Sequence, residues 1–192
     1  PLGEFGLEAP SFRPLRVIHN FLADFQHILA PMQPVMPENV KTMTPENRDD
    51  LRYAARMTPT GEGFLFLVNT QDHDLERQDQ KDLRVKLNLP NETLTIPVEG
   101  GFTLPRNTSA ILPFNFDMEG ALLKYATAQP LMKIEDKGTA HYFFTVHDGM
   151  EPEFVFSKSS VKGKSEFTDI VPGFKSTFKV TPRGGKAFKV TV

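Results

Sequence analysis

The sequence predicts a mainly β protein, an antiparallel β-sandwich or Greek-key-like domain preceded by one amphipathic α-helix. Three observations carry this. Near the start, apolar residues recur at spacings of three and four, the period of a helix. From Leu51 onward the period falls to two, in many short runs. Gly100-Gly101, Gly120, Gly138 and Gly149 fall between those runs as turn signals.

The helix is read from Leu15, Ile18, Leu22, Phe25 and Leu29, with Phe21 and Ile28 widening the stripe. Ser11 is expected as its N-cap, and Pro14 falls in the first turn, where a missing N–H does little harm. Pro31 and Pro34 stop it. So wide a stripe needs a partner surface, either the β domain that follows or a unit outside this chain. Residues 33–50 hold three prolines and no periodicity, and are read as a linker or extended segment.

Phe64 to Val68 is an apolar run suited to a strand buried on both faces. Leu83, Val85, Leu87 and Leu89 alternate with polar residues as one half-buried strand would. Further strands are expected at 94–97, 102–104, 110–116, 122–128, 142–146 and 154–156. The division is therefore 1–32, 33–50 and a β domain over 51–192. From about residue 158 that domain turns basic: eight Lys or Arg stand against Glu166 and Asp169, an excess of six positive charges. Phe174, Phe178, Val180, Phe188, Val190 and Val192 alternate there with Lys or small polar residues, giving two or three strands with one basic face.

Composition narrows the function classes. The net charge of −2 gives no sign of a nucleic-acid or anionic-membrane partner, and no apolar run is long enough to span a bilayer as a helix. The absence of cysteine removes disulfides, thiolate metal sites and cysteine nucleophiles together. The first residue is Pro1, so the chain is expected to begin after a cut. There is no glycine-rich phosphate loop, no serine in a strand-to-helix elbow and no His pair at zinc spacing, so no metal or cofactor is expected.

Few residues invite a chemical role. His73 between Asp72 and Asp74 has metal-ligating neighbours, but carboxylates in turns usually just face water. His19 and His27 fall on the polar side of the helix. His141 and His147 flank a Tyr-Phe-Phe run at a spacing that would put both on one strand face. Glu151 and Glu153 invite a glycosidase reading, since glycosidic cleavage uses two carboxyl groups at close range. The acid of such a pair needs surroundings that raise its pKa, and this pair flanks a turn-like Gly-Met-Glu-Pro stretch. With 17 Phe, no Trp and only Tyr53, Tyr125 and Tyr142, the aromatics look built for burial rather than for stacking on sugars.

The order of the strands carries a resemblance. Gly63-Phe64-Leu65-Phe66-Leu67-Val68-Asn69, an acidic loop, Leu83-Arg84-Val85-Lys86-Leu87 and Leu94-Thr95-Ile96-Pro97 come first. Gly100-Gly101-Phe102-Thr103-Leu104, Ala110 to Asn115 and Leu123-Lys124-Tyr125-Ala126-Thr127-Ala128 follow. Together they resemble the second domain of the family 35 glycoside hydrolases, the β-galactosidases. Pro1 to Gly6 and Leu15 to Leu22 resemble the last loop and helix of that family's catalytic (β/α)8 barrel, so that 1–32 would be a remnant of it. The resemblance covers roughly residues 1–157.

The resemblance implies a non-catalytic accessory domain supporting carbohydrate degradation by a barrel of the same polypeptide. The family's two catalytic glutamates lie on barrel strands, so no catalytic residue is assigned here and this chain alone is expected to be inactive. It also implies no metal or organic cofactor, and a secreted or periplasmic setting. The alternative is a stand-alone carbohydrate-binding module for galactose-containing glycans, with Tyr125, Tyr142 and the basic face as contacts.

Overall fold

The computed structural model describes residues 4–38, 43–44, 46–47, 49–70, 77–163 and 177–192. It contains one long helix, α1 (Phe12–Leu29), after a single 3-10 turn at Glu4–Gly6. Fourteen strands follow: β1 (Gln33–Val35), β2 (Arg52–Met57), β3 (Gly63–Asn69), β4 (Gln80–Leu83), β5 (Val85–Asn88), β6 (Thr93–Ile96), β7 (Phe102–Leu104), β8 (Thr108–Met118), β9 (Ala121–Ala126), β10 (Gln129–Asp136), β11 (Thr139–Thr145), β12 (Phe154–Phe156), β13 (Thr177–Val180) and β14 (Phe188–Thr191). The helix sits where the stripe put it. Ser11 holds the N-cap position but makes no side-chain capping bond, because its backbone is already helical.

A six-stranded sheet in the order β1-β2-β3-β8-β9-β12 forms the middle layer. A four-stranded sheet, β10-β11-β14-β13, and α1 cover one face. The hairpins β5-β6 and β4-β7 cover the other. Among the described residues all strand pairings are antiparallel except β11 with β14, which departs from the purely antiparallel expectation. The chain reaches β14 through β12 and β13 rather than by a hairpin, so a parallel neighbour is sterically available.

The alternation in β3 explains why the middle layer is buried twice. Phe64 packs in the core under α1 and the four-stranded sheet, while Leu65 and Leu67 pack under the hairpins. In β8, Ile111 and Phe116 face the first core and Leu112 and Phe114 the second. Residues 114 and 116 would share a face in a regular strand; Asn115, at φ 47°, rotates the strand between them. Gly63 permits the closest strand approach. A Cβ there would lie 2.3 Å from the Arg56 carbonyl oxygen and 2.4 Å from the Phe114 ring.

Three sequence expectations change. Residues 33–50 do not begin as a linker, because 33–35 form edge strand β1 against β2. Pro34 fits an edge, where no neighbour requires its N–H. The single strand read through 83–89 is two strands in different hairpins: Leu83 pairs with Phe102 and Val85 with Ile96. Asp82, at φ 53°, lies in the β4 bulge, and the Arg84 side chain donates to the Pro97 and Val98 carbonyls. Strand β10 was not foreseen, since Pro130 and its charged end hide the alternation.

Candidate functional site

Helix α1 presents two apolar faces. At about 100° per residue, Phe21 and Phe25 lie on one side, and Leu15, Ile18 and Leu22 on the adjoining side. Phe21 and Phe25 are buried against the sheet. Phe21 meets the Phe64 ring edge-on at 5.3 Å between centroids, and Phe25 meets Phe116 edge-on at 5.7 Å. Asp24 fixes the register of the docking by accepting a 2.7 Å hydrogen bond from the Lys133 backbone N–H. The expectation that the stripe docks on the β domain thus holds for its Phe21 side only. Leu15, Ile18 and Leu22 remain 42, 36 and 37 % exposed. Beneath the first two turns a cavity of about 310 Å³ separates Pro14, Val17 and Ile18 from Gln129, His147 and Met150.

Tyr125 and Tyr142 are both core residues. Tyr125 is fully buried on β9, and neither ring offers a face to solvent. The Tyr125 hydroxyl donates to the Glu153 carboxylate and accepts from the Val98 N–H at 2.8 Å. It joins the end of hairpin β5-β6 to the segment before β12. Burial, with the neighbouring Glu153 carboxylate, pushes its pKa up to about 12. Tyr142 stacks edge-on with Phe188, lies 5.6 Å from the Lys133 ammonium, and donates to Glu119 at 3.3 Å. Burial and the Glu119 charge raise its pKa as well. Lys133 pairs with the same Glu119 at 2.5 Å.

The raised pKa of Tyr125 gives an alkaline limit. A phenol whose folded pKa exceeds its unfolded value contributes stability that is complete below pH 10 and is lost as pH rises toward about 12. Tyr125→Phe is expected to lessen the loss across that window, the share that Tyr142 contributes remaining. At neutral pH it should cost about 1 kcal/mol, because Val98 and Glu153 lose a partner. Urea titrations at pH 8, 10 and 11 check both; an unchanged alkaline slope in the variant would count against the assignment.

Glu151 and Glu153 flank a turn closed by Thr127, whose hydroxyl donates to the Glu151 carbonyl at 2.8 Å and accepts from the Glu153 N–H at 2.7 Å. Glu153 is engaged with Tyr125 and Glu151 is exposed, so the turn serves to hold β12 against β9. His141 lies on β11, but His147 lies beyond its end, where its Nε2–H donates to the Ser109 carbonyl at 2.7 Å, so the two do not share a strand face. His19 and His27 are exposed on α1 as the stripe required. His73 and its flanking aspartates lie outside the described residues. Among the described residues no group of three or more His, Cys, Asp or Glu is placed to hold a metal ion, and no helix is long and apolar enough to cross a membrane.

The remaining tyrosine is the exposed one. Tyr53 on β2 is 40 % exposed and stands in a cleft of about 380 Å³ between the β1-β2 edge and strand β5. The sequence signal for it was slight: Tyr53 sits among Arg52, Ala54, Ala55 and Arg56, a stretch without a strong apolar alternation.

Residues 33–187 match the family described as β-galactosidase, domain 2. No curated protein matches the chain.

Proposed function

The chain belongs to the β-galactosidase domain 2 family, and from that premise we propose that it is a non-catalytic accessory domain that braces a catalytic (β/α)8 barrel. The observation that carries the reading is the two-faced helix. One face of α1 is fastened to the β domain through Phe21, Phe25 and Asp24. The adjoining face, carried by Leu15 and Leu22, keeps more than a third of these side chains exposed and is the surface offered to the barrel. A helix packed on both sides transmits orientation from one unit to the other, because neither side can slide without breaking a packed contact. The resemblance of the residues from Pro1 to Leu22 to a barrel's last loop and helix supports the same partner. The chemistry, hydrolysis of β-galactosides, then belongs to the barrel, and this domain acts by holding it.

Charge placed on the open face tests the reading. Leu15→Asp and Leu22→Asp are each expected to cost the 192-residue chain no more than about 1 kcal/mol. In the intact enzyme each should lower stability by about 2 kcal/mol, the value of one large aliphatic side chain removed from water. Thermal denaturation of chain and enzyme side by side, with turnover of a chromogenic β-galactoside, reads both. Equal effects in the two settings would remove the barrel from that face. Turnover by the pure chain would overturn the non-catalytic assignment.

A further inference from the structure

We propose that the cleft beside Tyr53 is a binding site for a neutral hexose unit of a β-galactoside chain. The inference rests on the reading above for its ligand class, and on the cleft itself for its location. Its floor is apolar, made by Ala55, Leu65 and Phe114. One wall is the segment that leaves β1, where Met36 is 63 % exposed. The opposite wall is strand β5.

Strand β5 faces the cleft with an unpaired edge. It pairs only with β6 among the described residues. Leu89 donates to Glu92, and the register then makes Leu87 with Leu94 and Val85 with Ile96 the hydrogen-bonded pairs. The backbone N–H and C=O groups of Lys86 and Asn88 therefore point away from β6, toward the cleft. Both residues also line it. These edge groups are open to solvent, and a ligand rich in hydroxyls can take the place of water on them with both donors and acceptors.

The side chains at the rim suit the same ligand. The Asn88 amide donates to the Glu38 carboxylate at 3.2 Å, which puts a donor and acceptor pair at the mouth in the spacing that two neighbouring sugar hydroxyls present. The Tyr53 hydroxyl has no protein partner among the described residues, and its half-exposed ring offers an apolar face with a wet edge. A pyranose has the complementary shape: C–H groups on one face and hydroxyls round the edge. The size is right as well, since ligand clefts begin at about 300 Å³. Tyr125 and Tyr142 cannot take this role, since both rings are buried. The cleft lies on the hairpin side of the middle sheet, opposite α1, so the site stays open when α1 is covered.

The test is a titration of the isotope-labelled 192-residue chain with methyl β-galactoside and with a β-linked galactotriose, followed by backbone amide shifts. Saturating shifts are expected at Lys86 and Asn88, with half-saturation on the order of millimolar for so open a site. Tyr53→Ala should weaken binding about tenfold and Tyr53→Phe less than about twofold, since the ring is the contact. Asn88→Ala should also weaken it, and it lies on an exposed strand position where folding is not at stake. Absence of saturable shifts, shifts confined to another region, or full binding by Tyr53→Ala would each overturn the proposal. So would a short extended peptide that moves the same amides when the sugars do not, which would make β5 an edge for strand addition. A negative titration alongside normal behaviour of the α1 variants would overturn this site alone and leave the bracing role standing.

Discussion

Asn69→Ala is expected to cost the fold about 3 kcal/mol, more than most polar substitutions, because Asn69 is the hub of a buried network. Asn69 and Arg77 are both fully buried. The Arg77 Nε donates to the Asn69 side-chain oxygen at 2.7 Å, and its Nη2 donates to the Asp50 carbonyl at 2.9 Å. The Asn69 amide nitrogen donates in turn to the Gln78, Leu104 and Pro105 carbonyls, at 3.0, 3.1 and 3.0 Å. The two side chains thereby tie β3 to the segment before β2, to the segment before β4 and to the end of β7. Alanine would leave a buried guanidinium N–H and several carbonyls without partners, and an unpaired buried group carries its full desolvation cost. Burial already holds the Arg77 pKa below its usual value, so the guanidinium has little interaction to spare. Asn69→Asp is the sharper variant. Its carboxylate keeps the acceptor for Arg77 but turns the amide donor into a second acceptor aimed at carbonyl oxygens. It should therefore destabilise although it adds a counter-ion. Urea denaturation should show a lowered midpoint at unchanged slope, and a melting temperature roughly 6–12 °C lower for the alanine variant. A loss under about 1 kcal/mol would mean that water replaces the amide.

Phe25→Ala is the second large effect. Truncating a buried phenylalanine typically costs about 3–5 kcal/mol. Here two rings lose a contact, Phe21 in a tilted arrangement at 5.5 Å and Phe116 edge-on at 5.7 Å. The distinctive result concerns location. Strand cores are closed on both sides, whereas α1 is held by one face, so the variant can shed the helix without unfolding the sheets. Amide exchange in Phe12–Leu29 should rise by orders of magnitude while exchange in β3 and β8 changes little. Uniform acceleration throughout would show that α1 and the sheets form one cooperative unit. Phe25→Leu should retain most of the docking, since volume is largely kept.

The sequence carried the fold class because burial and periodicity are local. Phe64 to Val68 reads as a doubly buried strand wherever the rest of the chain goes, and the glycine pair at 100–101 interrupts the pattern in any context. The family resemblance added the order of strands. What was illegible has physical reasons too. Strand β1 is three residues long with a proline, and strand β10 has its alternation broken by Pro130 and by the bulge between Pro130 and Met132. The split of 83–89 between two hairpins falls at Arg84, whose side chain donates to the Pro97 and Val98 carbonyls, a contact that the local alternation does not announce.

The sites divide in the same way. By itself the sequence determined that α1 exists, that it carries more apolar surface than one contact needs, and that no cysteine chemistry takes place here, because these follow from residue identity and spacing. Only the tertiary structure decided which side of α1 is fastened, since Phe21 and Leu22 are neighbours in the chain but lie about 100° apart around the helix. It also decided which tyrosine meets solvent. Tyr125 and Tyr142 fall in strands covered on their side by a second layer, whereas Tyr53 lies near the sheet's edge, beside a hairpin that stops short of it. Exposure is a property of what lies opposite, and what lies opposite is set by contacts between residues far apart in the chain.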